Sequence, residues 1–555
     1  MPDRSPRRAL VPTGFARRHC RGGLQRSPFH PASAFFVLFV VAIGGGCNFG
    51  QSGIAPPTNR VFLPAGIAAD RDDNFVYVVN SNSDLRFNAG TVVAVDLARA
   101  ALVRSCALNQ DQDACHDVQN PALLSPRLVC DKTRFSRTEP VEDTYCCFDL
   151  LDSNILNCNE PQFIQSDATI QIGSFGGAIQ LQRYQRAPQD PTSEVVRRLF
   201  VAVRAEPSIT YADATVALTD TTNQNSPRKV SMRCTGSSKQ DGSVPPINAF
   251  CDDNWRVRRH DGDTLGALDL PEEPHVLSYD NDLQALYIGH LTVVANSQVQ
   301  GGGVSSLDLC NPQDESSQVH FAGLAQQTFL PNTLSQAVAA LSPGDPSNPG
   351  TRIYATARYS TAISGLGLRP QSDATCANPL RDLTLVPAES FYASAFLPNG
   401  ADIRGILFSE DHTEAFVLHR NDADTAANPA AIEVIDRRPL ADGTPANTPI
   451  DVLEVCGGPT AMQMHDVGRG RGNRIFVTCY DDGQIYVVDP NAVVVTSIID
   501  VGAGPTSLVF SPLDPSVGYV ASFANSHLSV IDFAPGSPTE NQVVMRIGLP
   551  HGYGE

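Results

Sequence analysis

Between Asp451 and Phe533 the chain writes one pattern twice, and this duplication constrains the fold more than any other feature. The first copy reads VLEVCGGPTAMQM, then a turn, then RIFVTCYDDGQIYVVDP; the second reads SIIDVGAGPTSLVF, a turn, and GYVASFANSHLSVIDF. Each copy has a Gly-Pro-Thr triplet, an aromatic-Val strand core (Phe476-Val477, Tyr519-Val520), a polar turn and an apolar strand closing on Asp489 or Asp532. Pro459 and Pro505 stand 46 residues apart, and the two Asp 43 apart. A period of this size holding several short strands predicts propeller blades, because one blade cannot bury both of its faces and must stack between neighbours in a closed ring.

Looser copies run back along the chain. Val76-Tyr77-Val78-Val79-Asn80, a polar turn and Val95-Asp96-Leu97 make a first blade. Leu199 to Arg204 with Asp213, Ala285 to Ile288 with Asp308, Arg352 to Thr356, and Ala415 to Leu418 with Asp436 supply blades two to five. That makes seven strand cores, six of them with an Asp slot, whose carboxylate can accept from backbone amides of the following turn. The Val76–Asn80 core and its companions resemble the YVTN-type β-propeller repeat of bacterial secreted and surface-layer proteins. The resemblance implies an all-β, seven-bladed ring over residues 62–550. Either Gln542 to Leu549 or Arg60 to Leu63 could supply the outer strand that closes it.

Two stretches break the period. Residues 105–159 form a cysteine-rich insertion expected after blade one, with Cys106, Cys115, Cys130, Cys146, Cys147 and Cys158. Residues 215–256 hold Cys234 and Cys251, a candidate disulfide, and the single Trp255. Long insertions on a rigid scaffold are where binding tends to sit.

Residues 1–47 read as a signal peptide: seven Arg against one acid, Asp3, then ten apolar residues from Ala34 to Ile43. Ten residues make about 15 Å of helix, too short to span a bilayer. Gly45-Gly46-Cys47 resembles a lipoprotein cleavage site, which implies lipidation at Cys47. Gly44 stands where that pattern usually has Leu. Asn48 after the cysteine implies outer-membrane sorting, and residues 48–61 read as a tether. Beyond residue 47 the chain has 33 basic and 58 acidic residues, within a formal total of −19. Such a surface repels phosphate backbones, which argues against nucleic acid as a partner. An even set of cysteines behind a leader predicts disulfides rather than metal ligands.

Chemical motifs are sparse. Asn109, Asp111 and Asp113, like Asp70, Asp72 and Asn74, have calcium-loop spacing, but they lack the Gly and distal Glu that complete such a loop. An acidic turn is the better reading of both. His275, His290, His412, His419, His465 and His527 share no evident slot. No nucleophile elbow, phosphate loop or dinucleotide fingerprint occurs, so no catalytic residue, metal or cofactor is assigned. Arg204 and Arg420 both follow a blade's central strand and could form a carboxylate-binding pair; salt bridges are the plainer reading. Cys456, at the start of an innermost strand, and Cys479, at the end of the next, have their midpoint between Val467 and Gly468, in the hairpin turn, which predicts a disulfide over two free thiols. The functional expectation is a non-catalytic, envelope-anchored scaffold that binds a protein or glycan through its rim and insertions and meets the membrane through its lipid anchor only. The alternative is a lactonase- or dehydrogenase-like periplasmic enzyme with its site at the axial channel.

Overall fold

The structure is a computed structural model. It describes residues 53–548, leaving out 73, 110–145, 150, 187–192, 219–227, 236–247, 259–269, 272, 296–297, 311–319, 327–337, 342–350, 357–360, 370–375, 377–381, 394–401, 421–428 and 469.

Seven antiparallel sheets follow one another along the chain, each opening with its innermost strand: Pro64–Ala69, Gly176–Gln185, Pro274–Asp280, Val338–Leu341, Ile403–Phe408, Pro459–Asp466 and Pro505–Phe510. With strands named a to d outward, successive a strands adjoin and the first lies against the last. The protein is therefore an all-β, seven-bladed propeller. Its repeat is written most legibly in the b strands. Tyr77, Phe200, Tyr287, Tyr354, Phe416, Phe476 and Tyr519, one per blade, are all buried. A ring wedged between two blade faces contributes roughly 1.5–3 kcal/mol relative to exposure, and seven of them are spread evenly round the circle.

The closing Asp accepts from following backbone amides in five blades, at a turn in four of them and at the start of a helix for Asp96. Asp96, Asp308, Asp436, Asp489 and Asp532 accept from the amides of Arg99, Cys310, Arg438, Asn491 and Ala534 at 2.9–3.0 Å. Asp213 does not share this role. It lies inside the longer strand Ser208–Leu218, opposite Arg198, and takes that guanidinium at 2.7 Å.

Gln542–Ile547 is the d strand of blade seven, and Arg60 to Leu63 joins no sheet. Among the described residues no strand from before residue 64 joins the last blade. Instead, residues 105–159 lie within blade one, between its c strand Gly90–Asp96 and its d strand Ile164–Ile172, not after it. A helix, Leu97–Asn109, opens that segment and packs Leu97, Ala100 and Val103 against blades one and seven. Further on, Leu156–Cys158 adds in parallel to the outer edge of Gln542–Ile547, backed by Cys146–Phe148 and a Cys146–Cys158 disulfide. Cys106, Cys115 and Cys130 have side chains outside the described residues, as do Asp111 and Asp113.

The second interruption repeats the device one blade later. Gln171, in the d strand of blade one, donates to Ala249 and accepts from Cys251, both at 2.9 Å, in a parallel bridge at Phe250. Cys251 is bonded to Cys234. Among the described residues of this stretch, Arg228–Arg233 belongs to the blade's own outer layer: it and Arg256–Arg258 pair with opposite halves of Ser208–Leu218. Each strap seals the open edge of the preceding blade, an edge that would otherwise present unpaired peptide groups. A Cys310–Cys376 disulfide joins blades three and four.

Cys456 and Cys479 are bonded, with Cα atoms 5.7 Å apart, but by a different register from the one counted along the sequence. Cys479 faces Pro459, and the hairpin turns between Asp466 and Asn473. Cys456 leaves from the loop ahead of the strand. The count failed because it assumed every residue from 456 onward was paired.

Candidate functional site

The mouth of the axial channel is the end where the a strands begin and the b strands run into the c strands. Six of the seven a strands open with a β-bulge, and the fourth is regular. In five blades the extra residue is Ala65, His275, Arg404, Thr460 or Thr506; blade two has Gly177-Ala178 there. Bulges re-aim a side chain, here at the channel mouth.

In blades six and seven the slot explains the Gly-Pro-Thr triplet. Gly458 and Gly504 sit at φ of +61° and +69°, where a Cβ would run into Asp481 or crowd Ala524. Pro opens the strand, where its missing N–H costs no ladder bond. The Thr460 hydroxyl then donates to the Pro505 carbonyl at 3.0 Å, and that of Thr506 to the Pro64 carbonyl at 3.1 Å. Each hydroxyl staples its blade to the next, and Thr506 does so across the seam where the ends of the ring meet. Thr506→Val keeps the shape and removes the bond. Its denaturant midpoint should fall by the equivalent of about 1 kcal/mol.

Blades three and five depart from this pattern and bring nitrogen to the mouth. Burial above all, then the Arg204 and Arg404 guanidiniums, push the His275 imidazole down to about 3, so it stays neutral through the physiological range. Arg404 is held by Asp402 at 2.8 Å. Arg204 stands 3.9 Å from Glu273, and Arg420 3.7 Å from Asp481. Arg204 and Arg420 thus each face a carboxylate of the next blade, as the plainer reading has it. Asp482 accepts from the Gly457 amide at 2.7 Å.

Carboxyl groups raised toward general-acid behaviour lie elsewhere. Burial is the leading cause for Asp96, Glu160 and Glu414. Asp96 and Glu414 pair at the far end of their strands. Glu160 holds Arg60 at 3.4 Å beside the strap that seals blade seven.

Among the described residues, His290, His419, His465 and His527 are bonded or stacked within the blades, and two of them do share a slot. His290 and His419 each face the first residue of their a strand, Pro274 and Ile403. Their Nε2 atoms meet Ser305 at 2.8 Å and Glu433 at 3.0 Å, equivalent positions on the c strands. Unequal loops hide that equivalence in the sequence. His527 bonds Ser529 at 3.1 Å, and His465 stacks on Phe510 at 3.7 Å. The calcium-like spacing of Asp70 and Asp72 is occupied by guanidiniums: Arg197 and Arg183 reach Asp70, and Arg183 reaches Asp72. Among the described residues no three or more His, Cys, Asp or Glu gather as a metal site would require.

No family model and no curated protein matches the chain. Solved structures do. Kuenenia stuttgartiensis hydrazine synthase aligns over 88% of this chain and 99% of its own at 11% identity, with a TM-score of 0.42. A Bacteroides fragilis protein with the provisional name 6-phosphogluconolactonase aligns over 79% and 84% at 12%, TM-score 0.38. The dihydro-heme d1 dehydrogenase NirN aligns over 78% and 68% at 12%, TM-score 0.37. At these scores the likenesses carry no argument about chemistry, and the site must speak from its own residues.

Proposed function

We propose that the chain is a non-catalytic binding propeller of the cell envelope, anchored through a lipid on Cys47, that binds a protein or glycan through its rim and its insertions, 105–159 and 215–256. The observation that supports this most is the composition of the mouth. Its described guanidiniums are matched by carboxylates of the same or the next blade, and the carboxyls raised by burial all lie away from the axis. A hydrolase or lyase needs a proton donor and acceptor converging on one substrate position. The mouth offers a neutral imidazole and fixed ion pairs, which suit recognition.

One observation favours the second reading, a periplasmic enzyme at the axial channel. A neutral imidazole beside two arginines can hydrogen-bond an anionic substrate that the guanidiniums attract, with a nitrogen pushed to about 3 positioning that substrate rather than taking its proton. The two readings part in one experiment. Affinity capture from native envelopes should recover a defined partner with the full chain and lose it when residues 110–145 are removed. The deletion stops short of Cys146 because Leu156–Cys158 seals blade seven. Removing all of 105–159 would strip that edge. Unchanged capture by the shortened chain, together with turnover of a lactone or dehydrogenase substrate that His275→Gln abolishes, would overturn the scaffold reading.

A further inference from the structure

We propose that the rim loop of blade one, Asn82 to Asn88, together with Ile54, rests on the surface of the bilayer that holds Cys47. This rests on the lipid-anchor reading and adds a second, protein-borne contact to it.

Reach comes first. The first described residue, Gly53, lies against Asn88, and the Asn88 amide donates to the Ile54 carbonyl at 3.0 Å. Gly53 is six residues beyond Cys47. At 3.3–3.6 Å per extended residue, that tether spans at most about 20 Å. Whatever holds Cys47 therefore holds this part of the rim close to it.

The rim there projects two apolar side chains, one of them between the exposed Asp84 and Arg86, which pair with each other at 3.4 Å. Ile54 is 69% exposed and Leu85 61%. Leu85 has a φ of +55°, a left-handed conformation that a leucine adopts only when its surroundings impose it. They do. Fully buried Asn82 accepts from the Phe87 amide at 3.0 Å and donates to the Phe87 carbonyl at 2.8 Å, while its own carbonyl takes the Leu85 amide at 3.1 Å. Phe87 packs edge-on against Phe62, centroids 4.9 Å apart. A firmly seated loop thus holds a leucine out into solvent beside the point where the tether leaves.

Single exposed leucines are ordinary, and Leu440 and Leu513, at the opposite end of the ring, need no explanation. Leu85 and Ile54 differ because the anchor delivers them to a surface that favours them. Two apolar side chains bind a bilayer weakly alone, but a tethered acyl chain raises their effective concentration there. The channel mouth lies at the same end as this loop, so a partner of the mouth would meet it in the layer next to the membrane.

The test uses the full lipidated chain on phosphatidylethanolamine–phosphatidylglycerol vesicles with brominated acyl chains. Trp is introduced as Leu85→Trp, as Ile54→Trp, or as Leu513→Trp at the far end. The emission added at 85 and 54 should be largely quenched and blue-shifted, and that at 513 should match bromine-free vesicles. Two reporters keep the result readable if one substitution unsettles the loop. Vesicle-bound protein with 54 and 85 unquenched, or with 513 quenched equally, overturns this inference and leaves the anchor standing. A mature chain without acyl mass that fails to float with vesicles overturns both.

Discussion

Arg437→Ala is expected to lower stability by about 3–5 kcal/mol, the range for breaking a buried ion pair from one side. Arg437 is fully buried between blades four and five. Its guanidinium lies 5.1 Å from the ring centroids of Tyr354 and Phe408 and 5.8 Å from that of Phe391. Nη2 reaches Glu389 at 3.2 Å, Nε reaches the Asn447 amide oxygen at 3.1 Å, and the Tyr354 hydroxyl also donates to Glu389. Truncation therefore leaves a carboxylate short of its cation and a void among three aromatic rings. The sharper expectation is non-additivity. Arg437→Met with Glu389→Gln should cost clearly less than the sum of those two single changes, because the second removes the charge that the first orphans while the methionine keeps the cage filled. Urea midpoints of the four corners of the cycle measure this. Additive losses would mean that packing alone is at stake.

None of that cage was legible in the sequence, for a definite reason. Tyr354, Phe391, Phe408 and Arg437 come from two blades and from positions spread over more than eighty residues, with no spacing that relates them. What could be read was local. The aromatic-Val cores, the closing Asp and the Gly-Pro-Thr triplets recur because each blade solves the same short-range problem, and the seven-bladed ring follows from them. Asp96 is the instructive failure. Its carboxylate caps the helix Leu97–Asn109, and an Asp followed by LARAALV is a helix start that the repeat disguised as a turn. Parallel addition of Leu156–Cys158 to a strand nearly four hundred residues away carries no local signal at all. At the mouth, the bulges displaced the counts: His275 and Arg404 occupy the slot of Thr460 and Thr506, but only the Thr pair keeps the flanking Gly-Pro that marks it. The disulfide of Cys456 shows the same effect, with the right partner reached through the wrong register.

Removing a second buried guanidinium, that of Arg197, should loosen the joint between blades one and two. Asp70, fully buried at the end of an a strand, receives Arg197 Nε at 2.5 Å, with Arg183 at 3.6 Å as a second, partly exposed cation. Arg197 also donates to the Val195 carbonyl, so its head is fixed on both sides. Arg197→Met leaves the Asp70 side chain out of reach of bulk water and served only by the weaker partner. A loss of about 3 kcal/mol is expected, the lower end of the range for a broken buried pair, because Arg183 compensates in part. Removing Arg183 as well should then cost more than removing it from the parent chain, since in that background it is the last cation on Asp70. Salt tells this pair from a surface bridge. Between low and molar ionic strength the Arg197→Met loss should barely change, whereas screening would erase the contribution of exposed pairs such as Arg438–Asp436. If molar salt abolished the difference between parent and Arg197→Met, the Asp70 carboxylate would have to be hydrated, and the joint between the first two blades would be wet rather than sealed.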